Sequence, residues 1–167
     1  MARTRPDLRV RSLPACAKDR FDGAHSFATL VARAGADWHG TVIDAVQGHP
    51  VLRHVDRREL GESVLEVSPA QAVELAGLIS VGSLVYGPGE SLRAPDPERD
   101  ACLREVVWAA GNGARFFTNH GHAEDGEEGD FLASSFHAKV LAGPTVDICL
   151  VGVSDENVLI LWRFEDD

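Results

Sequence analysis

Apolar and polar residues alternate along the chain in patterns that predict four helices and a sheet. Asp22 is placed to N-cap a helix whose buried stripe is Phe27, Leu30, Val31 and Ala34, with Gly35 as its stop. A shorter helix is expected from His49-Pro50 to Leu60, with Leu52 and Val55 inward and Arg53 and Arg57 outward. Ser68-Pro69-Ala70-Gln71 is a capping box with proline at the first helical position. It opens a helix striped by Ala72, Leu75, Ala76 and Ile79. Asp96-Pro97 repeats the device for a helix with Leu103, Val106, Val107 and Ala110 inward, ended at Gly111-Asn112-Gly113.

The last third reads as strands. Ala114–Thr118, Phe131–Leu141, Thr145–Val153 and Val158–Phe164 are β-branched or aromatic runs between turn residues. The last two are apolar on both faces, so they are central strands covered by helices, joined by a hairpin loop at Ser154-Asp155-Glu156-Asn157. Val64–Val67 and Leu84–Tyr86 are weaker strand candidates, and Gly87–Pro97 reads as a loop. The expected class is α+β, a helix-rich N-terminal half packed on a mainly antiparallel C-terminal sheet. A basic arm over residues 1–20 precedes a single α+β domain over 21–167.

Charge changes this picture. The chain of 167 residues carries 16 Lys and Arg against 26 Asp and Glu, a net of −10. Residues 1–20 hold six bases and two acids, +4, which leaves −14 on the remainder. Within the arm Leu8, Val10 and Ser12 alternate with Arg9 and Arg11, the period of a half-buried strand. So acidic a body argues against nucleic acid or an anionic membrane as partner. The start of the chain lacks the apolar segment of a secretory signal, and no run approaches the ~18 apolar residues that span a bilayer. Cys16, Cys102 and Cys149 show no CxxC spacing and read as buried, reduced thiols of a cytoplasmic protein.

Candidate chemistry concentrates in Asn119–Asp130. If residues 118–122 stay extended, His120 and His122 point to one face. With His137 across a hairpin and Glu124, Glu127 or Asp130 as an oxygen donor, they would form a first shell for zinc, iron or manganese. His-Gly-His followed by acids resembles the first motif of the cupins. Gly113 stands one residue too far from His120, no glycine follows Glu127 at the family spacing and the second motif is missing, so the resemblance is not adopted. The competing reading is a mobile acidic loop, with five acids among the seven residues from Glu124 to Asp130 and glycines at 121, 126 and 129.

Other constellations are weaker. Cys149 and His137 fall on adjacent expected strands, with Ser134 and Ser135 nearby, but no strained nucleophile turn marks a catalytic set. Arg53, His54, Arg57 and Arg58 read as an exposed basic face paired with neighbouring acids. Trp38-His39 reads as an aromatic closing one end of the core or as an exposed anchor.

Two functions from different classes follow. The first is a non-enzymatic acidic binding module, in the style of an intracellular immunity or antitoxin-type inhibitor of a basic protein. Its contact residues would be Glu124, Asp125, Glu127, Glu128, Asp130, Glu165, Asp166 and Asp167. No cofactor is expected for it. The second is an enzyme that uses a divalent metal on His120, His122 and His137. A homo-oligomer is compatible with either.

Overall fold

The computed structural model describes residues 8–81, 84, 92–133, 137–143 and 146–166. Six strands form one antiparallel sheet: β1 (Val10–Arg11), β2 (Ser26–Ala32), β3 (Leu65–Val67), β4 (Arg115–Thr118), β5 (Val146–Val153) and β6 (Asn157–Glu165). Their order across the sheet is β1-β2-β6-β5-β4-β3. The helices α1 (Ala17–Arg20), α2 (Trp38–Val46), α3 (Arg57–Ser63), α4 (Pro69–Val81) and α5 (Pro97–Trp108) lie mostly in the N-terminal half. The fold is α+β, as expected.

The double-sided strands explain the layering. Ile148, Leu150, Leu159 and Leu161 point into one apolar cluster with α4 and α5. Cys149, Val151, Val158, Ile160, Trp162 and Phe164 point into a second, with residues of α2 and α3. β5 and β6 pair residue for residue from Val146↔Glu165 to Val153↔Val158, closed by the four-residue hairpin. Burying both faces of this hairpin leaves residues 148–151 and 158–162 fully shielded, and apolar burial of this kind favours the folded state.

The capping signals act as read. The Ser68 N–H donates to Gln71 Oε1 at 2.9 Å, and the Gln71 N–H donates to Ser68 Oγ at 3.1 Å. Ala72, Leu75, Ala76 and Ile79 are all buried. Asp96 accepts from the Arg99 N–H at 3.1 Å, and Leu103, Val106, Val107 and Ala110 face inward. Beyond α5, Gly111 and Gly113 take positive φ, which stops the helix.

Three expectations are corrected. The segment with Phe27, Leu30 and Val31 is not a helix but β2, paired with β6 from Ser26↔Arg163 to Ala32↔Asn157. The helical stripe also fits a strand buried on both faces: Phe27 and Val31 join one cluster, Ala28 and Leu30 the other. Pairing with the long edge of β6, helped by the β-branched Thr29 and Val31, decides between them. Between His49 and Leu60 one continuous helix is replaced by a 3-10 turn (Leu52–His54) and the separate α3, which Asp56 caps by accepting the Glu59 N–H. Leu52 and Val55 are nevertheless buried. The described parts of Phe131–Leu141 form no strand, only an isolated bridge His120↔Ala138.

A helix escaped the sequence reading altogether. α2 is capped by Asp37, which accepts the His39 N–H at 3.0 Å, and it buries Thr41, Val42 and Val46. Trp38 stacks on Phe117 with ring centroids 4.9 Å apart, so it closes one end of a core. Of the Leu84–Tyr86 candidate, residues 85 and 86 lie outside the described residues, as do Ser134, Ser135, Asp167 and residues 87–91 of the expected loop.

The cysteines are also corrected. Cys16 and Cys102 are joined in a disulfide across 86 positions, and Cys149 alone is free and buried. Sequence spacing held no sign of this pair because it exists only once the arm docks beside α5. Among the described residues no helix is long and apolar enough to cross a membrane.

Candidate functional site

The candidate site grows from the end of β4. Thr118, Asn119 and His120 are buried polar residues, and each must find partners inside the protein. The Thr118 hydroxyl donates to Cys149 O at 2.7 Å. Asn119 stitches three segments together. Its Nδ2 donates to Lys139 O and Asp147 O, both at 2.9 Å, and its Oδ1 accepts from the Cys149 N–H at 2.9 Å. The side chain thus continues the β ladder where the backbone of β4 leaves it, which is why residues 137–141 pair without forming a strand.

Asp147 completes the stitch from below. Its carboxylate is fully buried in β5 and accepts from the Leu141 N–H at 2.8 Å and from Trp162 Nε1 at 2.7 Å. Burial pushes this carboxyl above the ordinary aspartate range, and the donors work against that shift. On the other face of the sheet the buried Phe131 stands edge-on to His120, 5.0 Å between centroids.

From His120 the chain turns into a 3-10 segment, Gly121–Glu128. His120 caps it: Nδ1 accepts the His122 N–H at 3.1 Å. Two glycines that suggested a mobile tip are required by close packing instead. A Cβ on Gly121 would sit 2.5 Å from His137 O, and one on Gly129 would sit 2.4 Å from His122 O. Gln71, already half of the α4 capping box, donates from Nε2 to Gly126 O at 2.7 Å. Ala123 is buried beneath the segment. The loop is therefore clamped from both sides.

This frame places the predicted acids as follows. Glu124, Asp125, Glu127, Glu128 and Asp130 are all exposed. Asp125 holds His122 Nδ1 at 2.9 Å, and Asp130 pairs with Arg93 at 3.0 Å. That arginine holds the Asp130 carboxyl below the usual range. Glu124, Glu127 and Glu128 project into solvent. Glu165 is spent inside the protein: it accepts the Leu84 N–H and lies 3.5 Å from Arg163 Nε. Asp166 is exposed one residue beyond it. Both ends of the acidic set share one end of the sheet, since β5 begins there and Val146 pairs with Glu165.

The predicted metal ligands do gather, but not on one extended face. His120 is buried, while His122 sits within the turn with its ring centroid 5.4 Å from that of His120. His137 is exposed and close above Gly121. His120 spends Nδ1 on its cap and His122 spends Nδ1 on Asp125. Among the described residues no group of three or more His, Cys, Asp or Glu is arranged to hold a metal ion. Burial, with the neighbouring His122 and His137 adding to it, lowers the His120 pKa to about 4. Cys149 is no nucleophile here, because full burial and the nearby Asp147 push its thiol pKa up, far from the thiolate.

The remaining basic groups lie elsewhere. Arg57 pairs with Asp37, and Arg58 pairs with Glu62 at 2.9 Å, so these two of the four bases near α3 are matched by nearby acids. The arm residues Arg9 and Arg11 run with β1, at the sheet edge opposite β3 and the acidic segment that packs on it. The described part of the arm, residues 8–20, therefore does not lie over the acidic segment. Searches of family models, of curated proteins and of solved structures find no match to the chain.

Proposed function

We propose that this protein is a non-enzymatic binding module that presents a preformed acidic surface to a basic protein, as an immunity or antitoxin-type inhibitor does. The observation that carries the reading is the clamp on residues 119–130. Asn119, His120, Gln71 and two tightly packed glycines hold Glu124, Glu127 and Glu128 outward on a fixed turn. A carboxylate surface that is already ordered binds without the entropy cost of freezing a loop, and its field steers a cationic partner toward it. Asp125 and Asp130 belong to the same surface, and Asp166 lies at the same end of the sheet. The net of −10 disfavours nucleic acid and anionic membranes as partners.

The metal-enzyme alternative draws less support, since His120 spends its Nδ1 lone pair accepting the His122 N–H, which puts the ring proton on Nε2, and among the described residues no three such groups are arranged around a common point. A cytoplasmic location belongs to the proposal as well. There a disulfide such as Cys16–Cys102 answers to cellular thiols, because cytosolic disulfides are usually transient or redox-sensing.

The test is affinity capture at low and high salt, with the wild type and the variant Glu124→Gln/Glu127→Gln/Glu128→Gln as baits. All three side chains are exposed, so the variant keeps the fold. The expected result is a discrete basic protein held by the wild type and lost both from the variant and in high salt. The same captured set on both baits would remove the acidic surface from the account.

A further inference from the structure

We propose that residues 8–20 form a strap held by the Cys16–Cys102 disulfide and released by cellular thiols. The proposal does not need the acidic surface and concerns the opposite edge of the sheet, but it rests on the cytoplasmic location proposed above. Without its disulfide the strap has little to hold it. β1 contributes two register pairs to β2, Val10↔Val31 and Arg11↔Leu30, with one further bond from the Ala32 N–H to Arg9 O at 2.8 Å. Val10 and Arg11 are themselves exposed. α1 is a four-residue helix with no side-chain cap, too short to persist alone. Within 8–20 only Ala17 is a buried apolar side chain; Leu8, Leu13, Pro14 and Cys16 are half-buried.

The strap also borders an open surface cleft of about 440 Å³, between Leu13, Pro14 and Ala17 on the strap and Ala28 on β2. The body, by contrast, has its own end-stop. The Ser26 hydroxyl donates to Phe21 O at 3.0 Å, and the Ser26 N–H donates to Gly23 O at 3.1 Å. Phe21 therefore stays with β2, and the chain N-terminal to it can lift as a unit. The central pairings β2–β6–β5–β4 involve no residue of the strap.

The chemistry is thiol–disulfide exchange with a monothiol of the glutathione class. A thiolate attacks one sulfur, Cys16 being the more accessible partner since Cys102 is 5% exposed. The S–S bond breaks, a mixed disulfide forms and the other cysteine leaves as a thiolate that takes up a proton. A second thiol then displaces the first, so both cysteines end as thiols and two thiol molecules end as one disulfide. Cys149 takes no part, being fully buried.

The experiment is limited trypsin digestion of the full chain, oxidised and after mild thiol reduction, read by mass spectrometry. The expected result is cleavage after Arg9, Arg11, Lys18 and Arg20 about tenfold faster or more in the reduced protein, with Arg99, Arg104 and Arg163 still protected. Cys16→Ser should show the same fast strap cleavage without reductant. Equal strap cleavage in both states overturns the proposal. So does joint acceleration of strap and body sites, which would make the bond a staple for the whole fold. Alkylation of Cys16 and Cys102 in the native protein without reductant would overturn it too.

Discussion

Asn119→Ala probes the clamp at its centre. The side chain makes three bonds, two donated to the carbonyls of Lys139 and Asp147 and one accepted from the Cys149 N–H, each at 2.9 Å. Asn119 is 2% exposed, so no bulk water stands ready to replace them. A net hydrogen bond contributes about 1 kcal/mol, and a buried group left unpaired costs about 1–3 kcal/mol. Three such losses, partly relieved because Lys139 lies at the surface, amount to roughly 3–5 kcal/mol. That is a large share of the 5–15 kcal/mol that typically separates folded from unfolded, and it lowers the melting temperature by roughly 6–20 °C. Urea unfolding gives the total, while hydrogen exchange locates it. The Cys149 amide should lose protection and residues 120–130 should open, with the β5–β6 pairing kept. A loss below about 0.5 kcal/mol, with exchange at Cys149 unchanged, would refute the assignment of Asn119 as the clamp.

Two further outcomes test the packing and the pH behaviour. Gly152→Ala places a Cβ 2.7 Å from the Phe116 ring and 2.9 Å from the Ala110 Cβ, so urea unfolding should show a loss of about 1–3 kcal/mol that Phe116→Leu partly restores. His120 has a folded pKa of about 4, below its unfolded value, so the unfolded chain binds the proton more readily between those values. Stability is then full above the unfolded pKa near 6.5 and falls as pH drops toward 4, by up to roughly 3 kcal/mol. His120→Asn keeps an acceptor for the His122 N–H and should flatten that slope; an unchanged slope would place the titration elsewhere.

Where local signals and tertiary structure agree, the fold was readable from the chain. Ser68/Gln71 and Asp96 mark α4 and α5 because a capping side chain acts within three residues of itself. β5 and β6 declare themselves by being apolar on both faces. β2 misled because a seven-residue segment buried on both sides satisfies helical spacing too, and only the open edge of β6 resolves it. The acidic loop misled in a different way. Its order comes from Asn119 and Gln71, single polar residues whose partners across the loop lie 20–55 positions away, beyond the reach of any local pattern. The exposed acids themselves were visible, whereas the internal use of Glu165 depends on contacts with Leu84 and Arg163 that only the folded chain brings about.

The central claim is that a fixed acidic turn recruits a cationic protein. Its most direct test is the association rate of the captured partner, followed by stopped flow from about 50 to 500 mM salt, with wild type and the Glu124/Glu127/Glu128 glutamine variant. The account predicts a wild-type rate that falls by at least about tenfold across that range and a variant that starts low and changes little. A rate indifferent to salt, and equal in the two proteins, would contradict it.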